Sequence, residues 1–174
     1  AYVTGITFSR DFPQANPLNS RYAGEGASFV VQVSEDGSEL LHTTFLGGAM
    51  EDAGYAVALD RWGYVYVAGV TASPGFPTTT AAFDRTFNGG EDAFVAEINP
   101  SWSGLYYATF LGGTGDERAH GIAVDEAGKA HVAGGTDSPD FPATPGAYDT
   151  SYNGQDAFVA KLNVLGTALE FATF

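Results

Sequence analysis

Two pairs of adjacent carboxylates are the residues of this chain whose types and spacing best suit metal chemistry. Glu51-Asp52 and Asp116-Glu117 each follow a Gly-Gly pair at the same distance. Carboxylate oxygens in a glycine-rich turn suit Ca²⁺, which takes six to eight oxygen ligands. Neither pair has the Asp-x-Asp-x-Asp-Gly spacing of an EF-hand, and such carboxylates also cap turns or carry solvated charge. We therefore expect no cofactor, and Ca²⁺ is the one alternative that the sequence suggests.

The overall charge limits the classes of partner. The 174 residues include 7 Lys and Arg against 21 Asp and Glu, a net charge of −14. Nucleic acids and anionic membranes require a basic surface, so neither is expected as a partner. No run approaches the roughly 20 apolar residues of a membrane span. The chain begins with Ala1, without a signal peptide and inside a repeat, so we expect the natural N-terminus to lie elsewhere.

The carboxylate pairs belong to a long internal repeat. Residues 44–60 recur as residues 109–125, an offset of 65 positions. Val67-Ala-Gly69 returns as Val132-Ala-Gly134 and is preceded by Val3-Thr-Gly5, and each of these glycines is followed seven residues later by Phe-Pro. A fixed period of this length is typical of repeat architectures, so the whole chain is interpreted as an array.

Each repeat predicts four short strands. In the middle repeat these are residues 54–60, 65–69, 92–98 and 105–111, which are apolar, lack helical periodicity and are separated by turn residues. Asp60 and Gly63 suit the first and last positions of a type I turn between the first two strands. We expect Asp92 and its counterpart Asp156 to bond backbone N–H groups and so tie the preceding long loop to its strand.

The long loop of each repeat carries its own aromatic residues. We expect them to fold the loop onto its sheet, because an ordered loop of about 20 residues needs apolar contacts. Exposed members of this set would instead suit stacking on sugars or contact with a partner. The rings in question are Phe76, Phe83 and Phe87 and their counterparts Phe141, Tyr148 and Tyr152.

The predicted fold is all-β, with four-stranded antiparallel sheets packed as the blades of a β-propeller. A small twisted sheet with two apolar faces cannot bury both alone, and stacking sheets around an axis solves this. A β-sandwich does not predict a repeat of this length, and the coils of a β-solenoid are shorter. The chain would hold about 2.7 blades: residues 1–48 (lacking a first strand), 49–113 and 114–174. A closed propeller needs at least four blades, so we expect a piece of a longer chain that forms a larger ring. The alternatives are that several copies complete one ring or that another protein covers the open faces.

The repeat resembles the bacterial β-propeller repeat family called SBBP. The resemblance lies in Phe-Leu-Gly-Gly, Gly-Ile-Ala-Val-Asp, Val-Ala-Gly-x-Thr-x-Ser, Phe-Pro and Asp-Ala-Phe-Val-Ala-Lys-Leu-Asn, best matched by residues 109–163. It covers the whole chain, although Ala27-Ser28 replace Asp-Ala in the first repeat. The resemblance implies a propeller, often of about seven blades, in an exported or cell-surface protein, and it implies no chemical activity.

No motif in the sequence indicates catalysis. His120 and His131 occupy positions held by Tyr55 and Tyr66 in the preceding repeat, and His42 falls in a predicted strand, so we expect ordinary packing. There is no cysteine, no Gly-x-Ser-x-Gly elbow and no phosphate-binding loop. We therefore expect a non-enzymatic structural or protein-interaction module, with a partner protein or further blades of its own chain. The alternatives are a carbohydrate-binding propeller that uses Phe83, Phe87, Tyr148 or Tyr152, and a hydrolase or lyase domain.

Overall fold

The computed structural model describes all residues 1–174 and consists of strands joined by turns and loops. It contains no helix that could cross a membrane. The eleven strands are β1 (Tyr2–Thr7), β2 (Ala27–Val33), β3 (Leu40–Leu46), β4 (Asp52–Leu59), β5 (Val65–Thr71), β6 (Asp92–Ile98), β7 (Leu105–Leu111), β8 (Glu117–Val124), β9 (Ala130–Thr136), β10 (Asp156–Leu162) and β11 (Leu169–Thr173).

The strands form three separate antiparallel sheets, each made from consecutive strands. Sheet 1 has the order β1-β2-β3, sheet 2 the order β4-β5-β6-β7, and sheet 3 the order β8-β9-β10-β11. The all-β prediction is confirmed at this level. The strands β6 and β7 have the predicted bounds, whereas β4 begins two residues earlier and β5 ends two residues later than predicted.

A tight turn joins the first two strands of sheet 2, as the sequence predicted. Asp60 Oδ1 accepts hydrogen bonds from the backbone N–H groups of Trp62 and Tyr64, both at 2.9 Å. Gly63 has a φ of 87°, a conformation that only glycine adopts without strain. Asp125 and Gly128 repeat this turn in sheet 3, with a φ of 82° at the glycine.

The glycine of the Val-Ala-Gly motif is required by close strand packing. A Cβ at Gly69 would overlap the carbonyl oxygen of Ala53 on the neighbouring strand β4, and a Cβ at Gly134 would overlap that of Arg118 on β8. Both glycines lie opposite an irregularity in the register of the first strand. Tyr55 is the residue added at the irregularity in β4, and its side chain is exposed.

Consecutive sheets stack face to face, with sheet 2 between the other two. One buried cluster joins sheets 1 and 2 and includes Val30, Val67 and Phe94. A second cluster joins sheets 2 and 3 and includes Val95 and Phe158. The strands β5 and β6 are buried along their whole length because both of their faces are covered.

The aromatic residues of the long loops cover the sheets from which they come. Phe76 packs on Phe94 with ring centroids 4.6 Å apart, and Phe141 packs on Phe158 at 4.7 Å. Phe87 lies against Phe110, and Tyr152 lies against Phe174. The expectation that the aromatics fold the loop down is correct for these four.

Tyr148 is an exception, and its predicted packing was wrong. Its side chain is 98% exposed, although Phe83 at the equivalent position packs against the cluster between sheets 2 and 3. The difference has a structural cause: Phe83 lies beside the following sheet, where its backbone N–H bonds the carbonyl oxygen of Gly166. No following sheet lies beside Tyr148 in this chain.

We expect the stacking of sheet 1 on sheet 2 to depend strongly on Phe94, whose side chain is fully buried. Replacing Phe94 with Ala should lower the free energy of unfolding by about 3–5 kcal/mol, because it leaves a cavity in the core. Urea denaturation measures this loss. Phe171→Ala is the control, since Phe171 is 37% exposed on a strand of sheet 3. Equal losses for the two variants would contradict the proposed importance of the seam.

Candidate functional site

The interfaces between consecutive sheets are here called seams. Both seams contain the same backbone hydrogen bond at equivalent positions. At the seam of sheets 1 and 2, the N–H of Asp52 donates to the carbonyl oxygen of Gly26 at 3.1 Å. At the seam of sheets 2 and 3, the N–H of Glu117 donates to that of Glu91 at 2.8 Å. The first strand of sheets 2 and 3 is thus tied to the residue just before the second-to-last strand of the preceding sheet.

The carboxylate of Asp52 is fully buried and surrounded by hydrogen-bond donors. Thr71 donates to its Oδ1, while the hydroxyl of Ser73 and the N–H of Gly48 donate to its Oδ2 at 3.1 and 2.8 Å. Burial raises the pKa of Asp52, and these donors oppose the rise. The carboxylate therefore pins the Gly-Gly turn and the end of β5 to the seam.

Glu117 repeats this arrangement one sheet later. Thr136 donates to its Oε1 at 2.5 Å, and the N–H of Gly113 donates to its Oε2 at 2.8 Å. Ser138 accepts a hydrogen bond from the N–H of Gly115 at 2.7 Å, as Ser73 does from the N–H of Met50 at 2.9 Å. An Asp and a Glu thus fill the same structural place and share the threonine and glycine donors, whereas the serine donates only to Asp52.

The four candidate calcium ligands are not brought together. Asp52 and Glu117 bind Thr, Ser and backbone donors in two different seams. Glu51 is exposed, and Asp116 accepts the N–H of Glu91 at 3.1 Å. The structure contains no group of three or more His, Asp or Glu side chains placed to hold a metal ion.

Asp92 lies in the same seam as Glu117, and one of its oxygens has no partner. Its Oδ2 accepts the N–H of Asn88 at 2.9 Å, which confirms that this carboxylate ties the long loop to β6. Its Oδ1 is buried without a hydrogen bond. Burial raises the pKa of Asp92 to about 7, and the nearby charges of Glu117, Asp84 and Asp116 add to the rise.

Sheet 3 repeats the seam features on a face that no other sheet covers, here called the open face. Asp156 Oδ2 accepts the N–H of Asn153 at 2.7 Å, as Asp92 does from Asn88. Gln155 occupies the place of Glu91, whose carbonyl oxygen binds the next sheet. A cleft of about 370 Å³ lies at this point, lined by Asp116, Arg118, His120, Gly134, Gly135, Thr136, Asp137, Gln155, Asp156 and Ala157.

Apolar side chains continue across the open face. Val159 is 42% exposed, whereas Val95 at the equivalent position of sheet 2 is completely buried against sheet 3. Ala133 and Ala157 are exposed, whereas Ala68 and Ala93 at the matching positions are buried. The open face therefore has the side chains of a seam without the second sheet of a seam.

The histidines lie apart from one another, each beside a different aromatic ring. His42 stacks on Trp102 at 4.9 Å, His120 stacks on Tyr55 at 5.6 Å, and His131 lies 6.4 Å from the ring of Phe171. Nε2 of His131 is also 3.4 Å from Oδ2 of Asp125. The structure brings together none of the three.

Of the four aromatic residues predicted as possible contacts for a ligand or partner, only Tyr148 has an exposed ring. Phe83, Phe87 and Tyr152 are partly buried against their own or the next sheet. The roles of Thr71 and Ser73 were not predicted, although the recurrence of Thr-x-Ser as Thr136-Asp-Ser138 was a signal for them. The role of the carbonyl groups of Gly26 and Glu91 left no signal, since every residue has a carbonyl.

Comparison with known proteins adds no relative from which a function could be transferred. No family model matches the chain, and no curated protein matches it significantly. The resemblance to the SBBP repeat therefore remains a prediction from the motifs.

The raised pKa of Asp92 predicts a pH dependence of stability. In the unfolded chain the pKa is near 3.8, and in the folded protein it is about 7. The Asp92 carboxyl therefore binds its proton more tightly in the folded protein than in the unfolded chain. This contribution is complete below pH 3.8 and is lost as the pH rises through about 7. Asp92→Asn should remove the loss and gain on the order of 1–3 kcal/mol over the wild type at pH 8.

Urea denaturation at pH 5 and pH 8 tests this expectation. Glu97 titrates in the same direction in both proteins, so the measured quantity is the difference between variant and wild type. Asp156→Asn is the matched control, because Asp156 makes the same loop contact on the open face. A gain that is equal at both pH values would show that the charge of Asp92 is not its cause.

Proposed function

We propose that the chain is a run of β-propeller blades and acts as a non-enzymatic structural or protein-interaction module. The observation that carries this proposal is the open face of sheet 3, which repeats the apolar and polar features of a seam. Sheet 2 shows how such a face is used, because its equivalent side chains are covered by the next sheet. The occupant that fits is a further sheet of the same repeat, from the same protein.

Polar complementarity supports the same occupant. At each seam, the incoming sheet supplies an N–H to a backbone carbonyl and a carboxylate that lies beside the Gly-Gly turn. The cleft around Asp156 lies at the corresponding position of sheet 3, and Gln155, the counterpart of Glu91, lines it. A sheet that starts with the equivalent of Asp52 or Glu117 would fill it.

The carboxylates at the seams favour a structural role over catalysis. Asp52 and Glu117 accept bonds from Thr, Ser and backbone donors, so their oxygens are already engaged. An export or cell-surface location is proposed on the resemblance to the SBBP repeat alone.

Carbohydrate binding is a second candidate because of Tyr148. A tyrosine ring that is 98% exposed at a loop tip is an available platform for a sugar ring. A glycan array with the wild type and Tyr148→Ala tests this: binding that Tyr148→Ala abolishes would support it. Tyr152→Ala is not a suitable control, since its ring supports the loop against Phe174.

The main proposal predicts association through the open face. Size-exclusion chromatography with light scattering, over a series of concentrations, should show that the chain self-associates through its two end sheets. Val159→Glu places a charge in the open face and should shift the protein to monomer without loss of folding. Leu165→Glu is the control, since Leu165 is 53% exposed in the turn between β10 and β11. A wild type that is monomeric throughout, or equal effects of both variants, would contradict the proposal.

A further inference from the structure

A second cleft, of about 470 Å³, lies within the seam of sheets 2 and 3 at the end opposite the Gly-Gly turns. Both of its walls belong to this chain, so it does not depend on a further sheet. Four aromatic rings and two carboxyl groups dominate its lining. The lining residues are Asp60, Trp62, Tyr64, Tyr66, Glu97, Tyr106, Ala127, Gly128 and Val164.

Glu97 forms the inner part of this cleft and is an unusual residue to bury. Its side chain is 2% exposed and lies between Tyr66 and Tyr107 on the neighbouring strands. Its Oε2 is buried without a hydrogen-bond partner. The Tyr66 hydroxyl donates to the carbonyl oxygen of Gly128 at 3.1 Å and also interacts with the Glu97 carboxyl, but it leaves Oε2 without a donor. A buried acceptor without a donor is unfavourable, and a ligand that supplies the donor would relieve that cost.

The aromatic rings of the cleft favour a cation. Trp62 and Tyr106 are 51% and 46% exposed at its mouth, and their faces carry the negative end of a quadrupole. The guanidinium of Arg61 already lies 4.3 Å from the centre of the Trp62 ring. No residue that lines the cleft carries a positive charge.

Sheet 3 shows what chemistry the equivalent place accepts. There Lys161 replaces Glu97, and its Nζ lies 2.9 Å from Oδ2 of Asp125, the counterpart of Asp60. Tyr64 and Tyr106 are likewise replaced by Lys129 and Glu170, which form an ion pair. In the third repeat the ammonium groups of Lys129 and Lys161 thus occupy this place. The second repeat has Asp60 and Glu97 there and no lysine.

We propose that the cleft formed by Trp62, Tyr64, Tyr66, Glu97 and Tyr106 binds a primary alkylammonium group, with Glu97 as its hydrogen-bonded counter-ion. The ammonium group enters between the rings and donates to Glu97, while its alkyl chain lies along Trp62 and Tyr106. Asp60 adds negative charge at the mouth. The site goes beyond the proposed module function and stands independently of how the open face is used.

The charges around Glu97 give the site a pH dependence. Burial raises the pKa of Glu97 to about 8; the charge of Asp60 adds to the rise, and a hydrogen bond from the Tyr66 hydroxyl opposes it. A bound cation stabilises the ionised form, so binding near pH 7 releases a proton from Glu97. Binding should strengthen as the pH rises from 6 to 8. The titratable and charged groups near Glu97 are Asp60, Arg61, Tyr64, Tyr66, Tyr106 and Tyr107.

Isothermal titration calorimetry with 1-aminohexane tests the site, together with quenching of tryptophan fluorescence. Trp62 reports the cleft, because the other tryptophan, Trp102, is buried in the opposite seam. The wild type should bind 1-aminohexane at least about ten-fold more tightly than 1-hexanol. Tetramethylammonium, which cannot donate to Glu97, should also bind at least about ten-fold more weakly. Equal affinity for the amine and the alcohol would overturn the proposal.

Two variants separate the role of Glu97 from a general charge effect. Glu97→Gln keeps the shape of the side chain and should weaken 1-aminohexane binding at least about ten-fold, with loss of the pH dependence. Glu35→Gln removes the same charge from an exposed turn and should leave binding unchanged. Circular dichroism establishes that both remain folded. If Glu97→Gln binds the amine as tightly as the wild type, Glu97 is not the counter-ion and the proposal is wrong.

A further titration identifies the source of the ammonium group. Nα-acetyl-lysine methylamide presents the same group as a lysine side chain in a protein. Binding of this compound as tightly as 1-aminohexane would assign the site to protein lysines. Binding of the free amine alone would assign it to small amines. Binding of neither overturns the proposal, and Trp62→Leu should abolish either binding by removing a ring at the mouth.

Discussion

The constraint on which this structure depends is that a four-stranded sheet with two apolar faces must be covered on both. Sheet 2 satisfies it fully, and its central strands β5 and β6 are therefore buried from end to end. Burial of apolar area contributes roughly 25 cal/mol per Å², which makes stacking the dominant stabilising interaction. The repeated seam bonds from Asp52 and Glu117 then fix the position of each sheet on the last.

Stacking explains why the same residue has different surroundings in successive repeats. Val95 is buried and Val159 is exposed, although the local sequences around them are nearly the same. Phe83 and Tyr148 differ in the same way, since the first lies beside a following sheet and the second does not. The apolar side chains of a repeat in this chain are therefore fully buried only where the next sheet covers them.

The fold could be predicted largely from local signals in the sequence. Alternation and turn residues located the strands, and the turn from Asp60 to Gly63 has the expected capping. The tie from Asp92 to its loop was also predictable, because a glycine-rich turn before a strand leaves N–H groups to satisfy. The exposure of Tyr148 was not predictable, since it depends on a neighbouring sheet rather than on the loop itself.

The candidate sites were harder to predict because they depend on contacts between repeats. The sequence placed Glu51, Asp52, Asp116 and Glu117 in two similar pairs, and it could not show that each inner carboxylate already has a Thr donor and a backbone donor. It also gave no indication that Glu97 is buried, because a glutamate in an alternating strand is expected to face solvent. Its burial follows from the stacking of sheet 3 on sheet 2.

The two seams differ in a way that stability alone does not explain. At the seam of sheets 2 and 3, Asp92 and Glu97 each bury a carboxyl oxygen without a partner. The equivalent positions of sheet 1 hold Ala27 and Gln32, and that sheet stacks on sheet 2 by the same backbone bond. The stacking therefore does not require buried acids. Asp92 also ties its loop to β6. Glu97 is a buried acid that the stacking does not require and that weakens the fold as the pH rises, which favours the proposed role in binding for the second seam.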